Sequence, residues 1–226
     1  MDWRGVFVVL AVLGVGLVGV ALFGMPETLP RADRHAGGIR ALGAQLGVIL
    51  RDRLFVWVLI SSSLGGVAFF AYLSMSSFVL EDGYGLSPQL FSLAFAANAV
   101  ANIAGAQLSR VLVGRAGPLR MFLVGVTATA LASVAFLIGS VAGLGLAGVL
   151  AAFVVFLFAT GLGGPNSSTL ALAHHGARAG TAAAFLGSGM FVLGPIVAPL
   201  AGLHGVTAIV MSTTMAAAAV LAAAVA

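Results

Sequence analysis

Asn98 and Asn102 stand one helical turn apart inside the apolar run LFSLAFAANAVANIAGAQLS. An amide side chain carries two N–H donors and a carbonyl acceptor. In apolar surroundings those groups must meet another helix or a watery cavity. Phe91, Phe95, Asn98, Asn102, Gly105 and Ser109 recur at three and four residues, so they share one helical face. That face serves either as helix–helix glue or as the wall of a substrate cavity. Ala101, Gly105 and Ser109 add small-residue steps of four, which favour close helix packing. A second group of cavity candidates stands in SSSLGGVAFFAYLSMSSF, where Phe69, Tyr72 and Ser74 offer aromatic faces and polar tips. Ordinary packing is the alternative there. Ser61, Ser62 and Ser63 can bond to carbonyls one turn back and bend their helix. Phe185 and Met190, in AFLGSGMF, extend the cavity reading.

Other chemistries find less support. The chain has no cysteine, which removes disulfides, thiol catalysis and thiolate metal sites. His174 and His175 are adjacent, point to different helix faces and so chelate one metal poorly; beside Arg178 they suit a surface role. No metal and no cofactor is expected. Ser188 in LGSGMF is the one tempting nucleophile, as in an intramembrane serine hydrolase. It would need a histidine at membrane depth, and His204 sits in a short turn; no oxyanion hole is evident. Nucleic acid is not an expected partner, because the basic, aromatic-lined groove it requires is missing.

The elements that carry these residues are membrane helices. Of 226 residues, 61% are hydrophobic and 7% charged, against about 25% charged in an ordinary soluble domain. No soluble fold of this size hides so much apolar surface. The predicted fold is an all-α integral membrane protein with the lipid bilayer as its solvent. A span needs about 20 apolar residues, and seven stretches qualify: 6–23, 54–80, 89–113, 121–140, 144–169, 181–200 and 206–226. No Asp, Glu, Lys or His lies in the middle of any of them. All ten basic residues are Arg, and nine fall in alternate loops: Arg31, Arg34, Arg40, Arg51 and Arg53; Arg110, Arg115 and Arg120; and Arg178. The positive-inside rule puts those loops in the cytoplasm. The N-terminus is then outside and the C-terminus inside, in a plasma (inner) membrane. The first stretch reads as a true span rather than a signal peptide, being long for a signal core and lacking a small-x-small site before Met25. An outside N-terminus without a leader points to further sequence upstream.

Three domains follow. Residues 1–25 are a membrane helix, 26–53 a cytoplasmic linker and 54–226 a six-helix bundle. In the linker, Ile39, Leu42, Leu46 and Ile49 recur on one face, the mark of an amphipathic helix on the inner membrane surface; four glycines there favour a flexible tether instead. Two sites should break helices: Gly164-Pro165-Asn166 and Gly194-Pro195. Proline removes a donor and pushes the preceding residue away from helix, so residues 161–169 are expected to form a kinked, gating end. Arg110, Arg115 and Arg120 surround a tight turn and read either as a latch on helix-end carbonyls or as a plain topology signal.

Several stretches together resemble the Bcr/CflA subfamily of the major facilitator superfamily, the bicyclomycin-resistance-like drug/proton antiporters. WRGVF followed by PETLPRADR is similar to that family's sixth-helix end. FAYLSMSSFVLEDGYGLSPQLFSLAFAANA is similar to its seventh and eighth helices, and GGPNSSTLALAHHGARAGTAAAFLG to its tenth-to-eleventh segment. Ser76-Ser77 departs from the family's Ser-Pro. GSGMFVLGPIVAPLAG resembles the antiporter Gly-Pro motif of the fifth helix at a pseudo-repeat position, with different glycine spacing. The resemblance implies helices six to twelve of an exporter of lipophilic or cationic small molecules in exchange for protons. It places the proton-coupling carboxylate in an N-terminal half or second polypeptide beyond this chain. The alternative is a truncated, non-transporting membrane subunit or gene remnant.

Overall fold

The computed structural model describes residues 3–24, 38–143, 145–203 and 205–226. Among them there is helix and no strand. The chain divides into two compact units, Met1–Ala41 and Leu42–Ala226. In the first, α1 (Trp3–Gly24) is 22 residues long and apolar on every side, as a membrane span is. Then come α2 (Ile39–Ile49), α3 (Arg53–Ser77), α4 (Pro88–Ala116), α5 (Pro118–Val141), α6 (Leu146–Leu172), α7 (Ala179–Ala201) and α8 (Ala208–Val225). Seven helices, all but α2, are long and apolar enough to cross a membrane. The protein is a multi-pass, all-α membrane protein.

Local sequence sets the helix ends. Asp52 caps α3, its carboxylate accepting from the amides of Leu54 and Phe55. Ser87 caps α4 with Pro88 in the first turn, and Thr207 caps α8; each hydroxyl satisfies an amide the helix leaves unpaired. Gly117 joins α4 to α5 at φ +80°, a conformation costly for any residue with a Cβ. Span two runs further than expected. After Ser77 the backbone opens into a π-helical turn, Phe78–Gly83, which takes in Glu81 and Asp82.

The boundary of the second unit falls inside the stretch read as a linker. Residues 39–49 are helical as their spacing predicts. Ile49 is fully buried with Phe55, Val58 and Phe122, and Gln45 Oε1 accepts from Thr181 Oγ1 at 2.7 Å.

The bundle is interlaced. α3 packs most closely on α7 and α8, and α6 on α4 and α5; α5 meets α8, and α3 meets α6. Two triplets result, α3/α7/α8 and α4/α5/α6. The main core gathers Tyr72, Met75, Leu80, Phe136, Phe153, Phe156, Met211 and Met215. Lipid gives no hydrophobic push between helices, so close packing and interhelical hydrogen bonds hold them.

Candidate functional site

A cavity of about 280 Å³ lies between the two triplets. From one side α3 contributes Ser61, Ser62, Gly65 and Phe69, α7 Met190, and α8 Ala219 and Ala222. Facing them are Asn102 and Ala106 of α4, Thr129 of α5, and Thr160, Gly164 and Pro165 of α6. The lining is apolar apart from hydroxyls and one amide, and no lining residue is charged. Apolar walls with a few placed polar groups suit a small molecule.

Glycines bring α6 to this position. A Cβ on Gly161 would collide with the Asn102 carbonyl, and one on Gly105 with the Phe158 carbonyl. Gly163 turns to α5, where its backbone abuts that of Gly125. The sequence GLGG thus seats one helix against two neighbours at backbone distance. Gly164 is different: nothing lies within 4 Å of where its Cβ would be.

The expected break at Gly164-Pro165-Asn166 does not occur. α6 is continuous from Leu146 to Leu172 with Pro165 inside it. The clash that keeps a pre-proline residue out of helix involves its Cβ, and Gly164 has none. Side chains supply donors to nearby carbonyls: Asn166 Nδ2 to Leu162 at 3.1 Å and Ser167 Oγ to Gly164 at 2.7 Å. Gly194 and Pro195 likewise lie within an unbroken α7. Gly194 leaves room for the Phe70 ring, which a Cβ would strike, and Pro195 is exposed.

Of the α4 face read from the spacing, Asn98, Gly105 and Ser109 are buried together with Ala101, Phe91 and Asn102 are partly buried, and Phe95 is exposed. Asn98 donates to the Tyr72 hydroxyl at 3.1 Å, so it is helix glue. Asn102 donates to the Leu157 carbonyl at 3.0 Å and to Thr160 Oγ1 at 3.1 Å, and it also borders the cavity. Ser109 accepts from Asn166 Nδ2 at 2.8 Å. Of Ser61, Ser62 and Ser63, only Ser63 bonds one turn back, to Leu59; Ser61 reaches across to the Ala222 carbonyl at 2.9 Å.

The sequence profile of the Major Facilitator Superfamily matches residues 1–199. The chain belongs to this superfamily. A curated relative, the uncharacterised MFS-type transporter YdgK of Bacillus subtilis (strain 168), is 31% identical over 217 residues, which are 94% of this chain and 53% of the relative. The chain spans about half the length of the curated relative it matches. Superfamily membership identifies no enzyme and sets the hydrolase alternative aside; Ser188 lies exposed on α7, and His204 is outside the described residues.

In this major facilitator chain, Phe69, Asn102 and Met190 reach the cavity, and five other cavity candidates do not line it. Tyr72 is buried in the aromatic core, stacked on Phe95 at 6.0 Å and edge-on to Phe153 at 5.2 Å. Asn98 is its hydrogen-bond partner. Phe95 and Ser74 are exposed. Phe185 packs against the lesser core around Phe55 and Phe122. Helical phase explains these placements: Tyr72 and Ser74 lie about 60° and about 140° round the helix from Phe69, and Phe185 about 140° from Met190. The signal missed in the sequence is the stripe Ser61–Gly65–Phe69, at steps of four.

Arg110, Arg115 and Arg120 are exposed and, among the described residues, make no hydrogen bond or ion pair, so they hold no helix-end carbonyl there. Arg110 borders a second recess with Ser109, Pro165 and Asn166. The polar contact between helix ends lies elsewhere in the major facilitator bundle. Asp52 Oδ2 stands 3.4 Å from His174 Nδ1 and 3.1 Å from His175 Nε2, joining the start of α3 to the turn after α6. His175 is buried and edge-on to Phe55; its Nε2 lies close to Asp52 without forming an aligned hydrogen bond. Burial pushes the Asp52 carboxyl up, but the Phe55 and Leu54 amides, His174 and the nearby His175 outweigh it and hold the pKa below 3.8. A depressed carboxylate stabilises the fold above its unfolded pKa and loses that contribution as pH falls through the folded value. The Asp52 contribution therefore stays whole from neutral pH to about pH 4 and fades below. Asp52→Ala removes cap and contact together, with an expected loss of about 1–2 kcal/mol. Thermal unfolding of the detergent-solubilised chain at pH 7 checks it; an unchanged midpoint would show that Asp52 holds nothing.

Proposed function

We propose that this chain is part of a secondary active transporter that moves small lipophilic molecules outward in exchange for protons, the function implied by its resemblance to Bcr/CflA-type drug antiporters. The observation that carries the reading is the uncharged, largely apolar cavity between two helix triplets. Transporters of this superfamily work by rocking one half against the other around a midplane site. The cavity walls favour the lipophilic member of the expected pair of substrates over the cationic one, since no carboxylate borders them. α1 corresponds to the sixth helix and α3–α8 to the last six, with residues 26–53 as the cytoplasmic connection. On this reading the N-terminus is outside and the Arg-bearing loops face the cytoplasm. The proton-coupling carboxylate belongs to about five further spans, encoded upstream or on a second polypeptide, in keeping with a relative about twice as long.

The test is energised efflux. Cells making the chain together with a candidate N-terminal half, from the same gene or a second polypeptide, should extrude a lipophilic fluorescent dye, and a protonophore should stop them. Dye retention equal to that of control cells, with the protein confirmed in the membrane, would sink the proposal and leave the non-transporting subunit.

A further inference from the structure

We infer that the cavity selects compact, neutral, apolar molecules that carry a hydrogen-bond donor, and that the side-chain amide oxygen of Asn102, Oδ1, is the group that reads it. The inference rests on the cavity being the small-molecule site.

Its polar groups have spent their protons inside the protein. Asn102 Nδ2 is committed to the Leu157 carbonyl and Thr160 Oγ1. Thr160 donates to Leu157 at 2.8 Å, Thr129 to Gly125 at 2.8 Å, Ser167 to Gly164 at 2.7 Å and Ser61 to Ala222 at 2.9 Å. A backbone carbonyl can only accept, so the amide must turn its NH₂ toward Leu157. That fixes Asn102 Oδ1 pointing away, with no donor from the described residues and without being sealed in the protein. Ser62 is the lining hydroxyl with an uncommitted proton, but its oxygen is sealed within the wall. Pro165 has no N–H, so the Gly161 carbonyl one turn earlier lacks its usual donor. The wall therefore presents acceptors and no free donor.

Such a wall discriminates. A ligand with an O–H or N–H satisfies Asn102 Oδ1. A ligand that can only accept sets lone pairs against lone pairs and leaves them unpaired out of water, which is unfavourable. An anion finds neither a cation nor a donor. The volume of about 280 Å³ suits two fused aromatic rings with a small substituent.

Matched probes test this. The chain in lipid nanodiscs is titrated with 1-naphthol, its methyl ether 1-methoxynaphthalene, and 1-methylnaphthalene. Partition into lipid is subtracted with nanodiscs of the Gly65→Leu chain, whose added side chain occupies the cavity. Saturable 1-naphthol binding about tenfold or more tighter than that of either other probe is the expected result, and Asn102→Leu should level the three. Equal binding of 1-naphthol and its ether to the wild type would overturn donor selection while leaving the cavity a small-molecule site. Saturable binding of none of the probes would overturn the inference and the cavity reading beneath it. If Asn102→Leu fails to fold, the wild-type comparison decides alone.

Discussion

Gly161→Val costs the chain its fold. The position of its Cβ is already taken by the Asn102 carbonyl, and Ala106 N stands 3.1 Å away. Both obstacles are backbone, so no rotamer change clears them. α6 must retreat from α4, which strains the Asn102 and Asn166 bonds to and from that helix and opens the Gly105 contact on the same interface. Overpacking of a well-packed core costs about 1–3 kcal/mol when side chains can yield; with backbone on both sides the loss should be about 3 kcal/mol or more. Size-exclusion profile and thermal midpoint after detergent extraction read the result. A variant that elutes and melts like the wild type would show that α4 and α6 do not meet at this glycine.

Gly65→Leu should do the opposite, keeping the fold and removing the site. Nothing lies within 4 Å of a Cβ at Gly65, and the residue lines the cavity. Its neighbour Gly66 makes the contrast, since a Cβ there stands 3.0 Å from the Met190 carbonyl. Leucine in place of a helical glycine gains about 0.5–1 kcal/mol from backbone entropy, so the thermal midpoint should hold or rise. Its isobutyl group takes up much of about 280 Å³, and naphthol binding or dye efflux should fall by about tenfold or more, about 1.4 kcal/mol. Undiminished binding with an intact fold would place the ligand elsewhere.

These two glycines mark what the sequence discloses and what it withholds. The α4 face was legible because an amide in lipid has few places to turn. Asn98 and Asn102 had to meet another helix or a cavity, and they do. Seven spans were legible from hydropathy, and α2 from its spacing. The contrast between Gly161 and Gly65 was not, because one glycine resembles another until the neighbouring helix is in place. Pro165 misled for a related reason. The pre-proline clash is partly with a Cβ, which Gly164 lacks, so the helix continues although Pro165 still removes one donor. Asp52 went unnoticed because its partners lie more than a hundred residues downstream and loop charges first read as topology signals. An Asp directly before RLFVWV is nevertheless a helix-cap pattern.

The interlaced packing has a consequence for how the chain is made. A ribosome delivers α4, α5 and α6 in succession, and α4 and α5 find their common partner as soon as α6 follows them. α3 leaves earlier, yet its closest neighbours are α7 and α8. More than ninety residues separate the end of α3 from the start of α7, so its apolar flank must wait in lipid while they are translated. Sequence-near contacts form before distant ones, and Pro88–Leu172 should therefore assemble as a nucleus during synthesis. Ser61 of α3 waits longest, for the Ala222 carbonyl of α8. On this order the cavity closes late, because α8, translated after that nucleus, completes its wall.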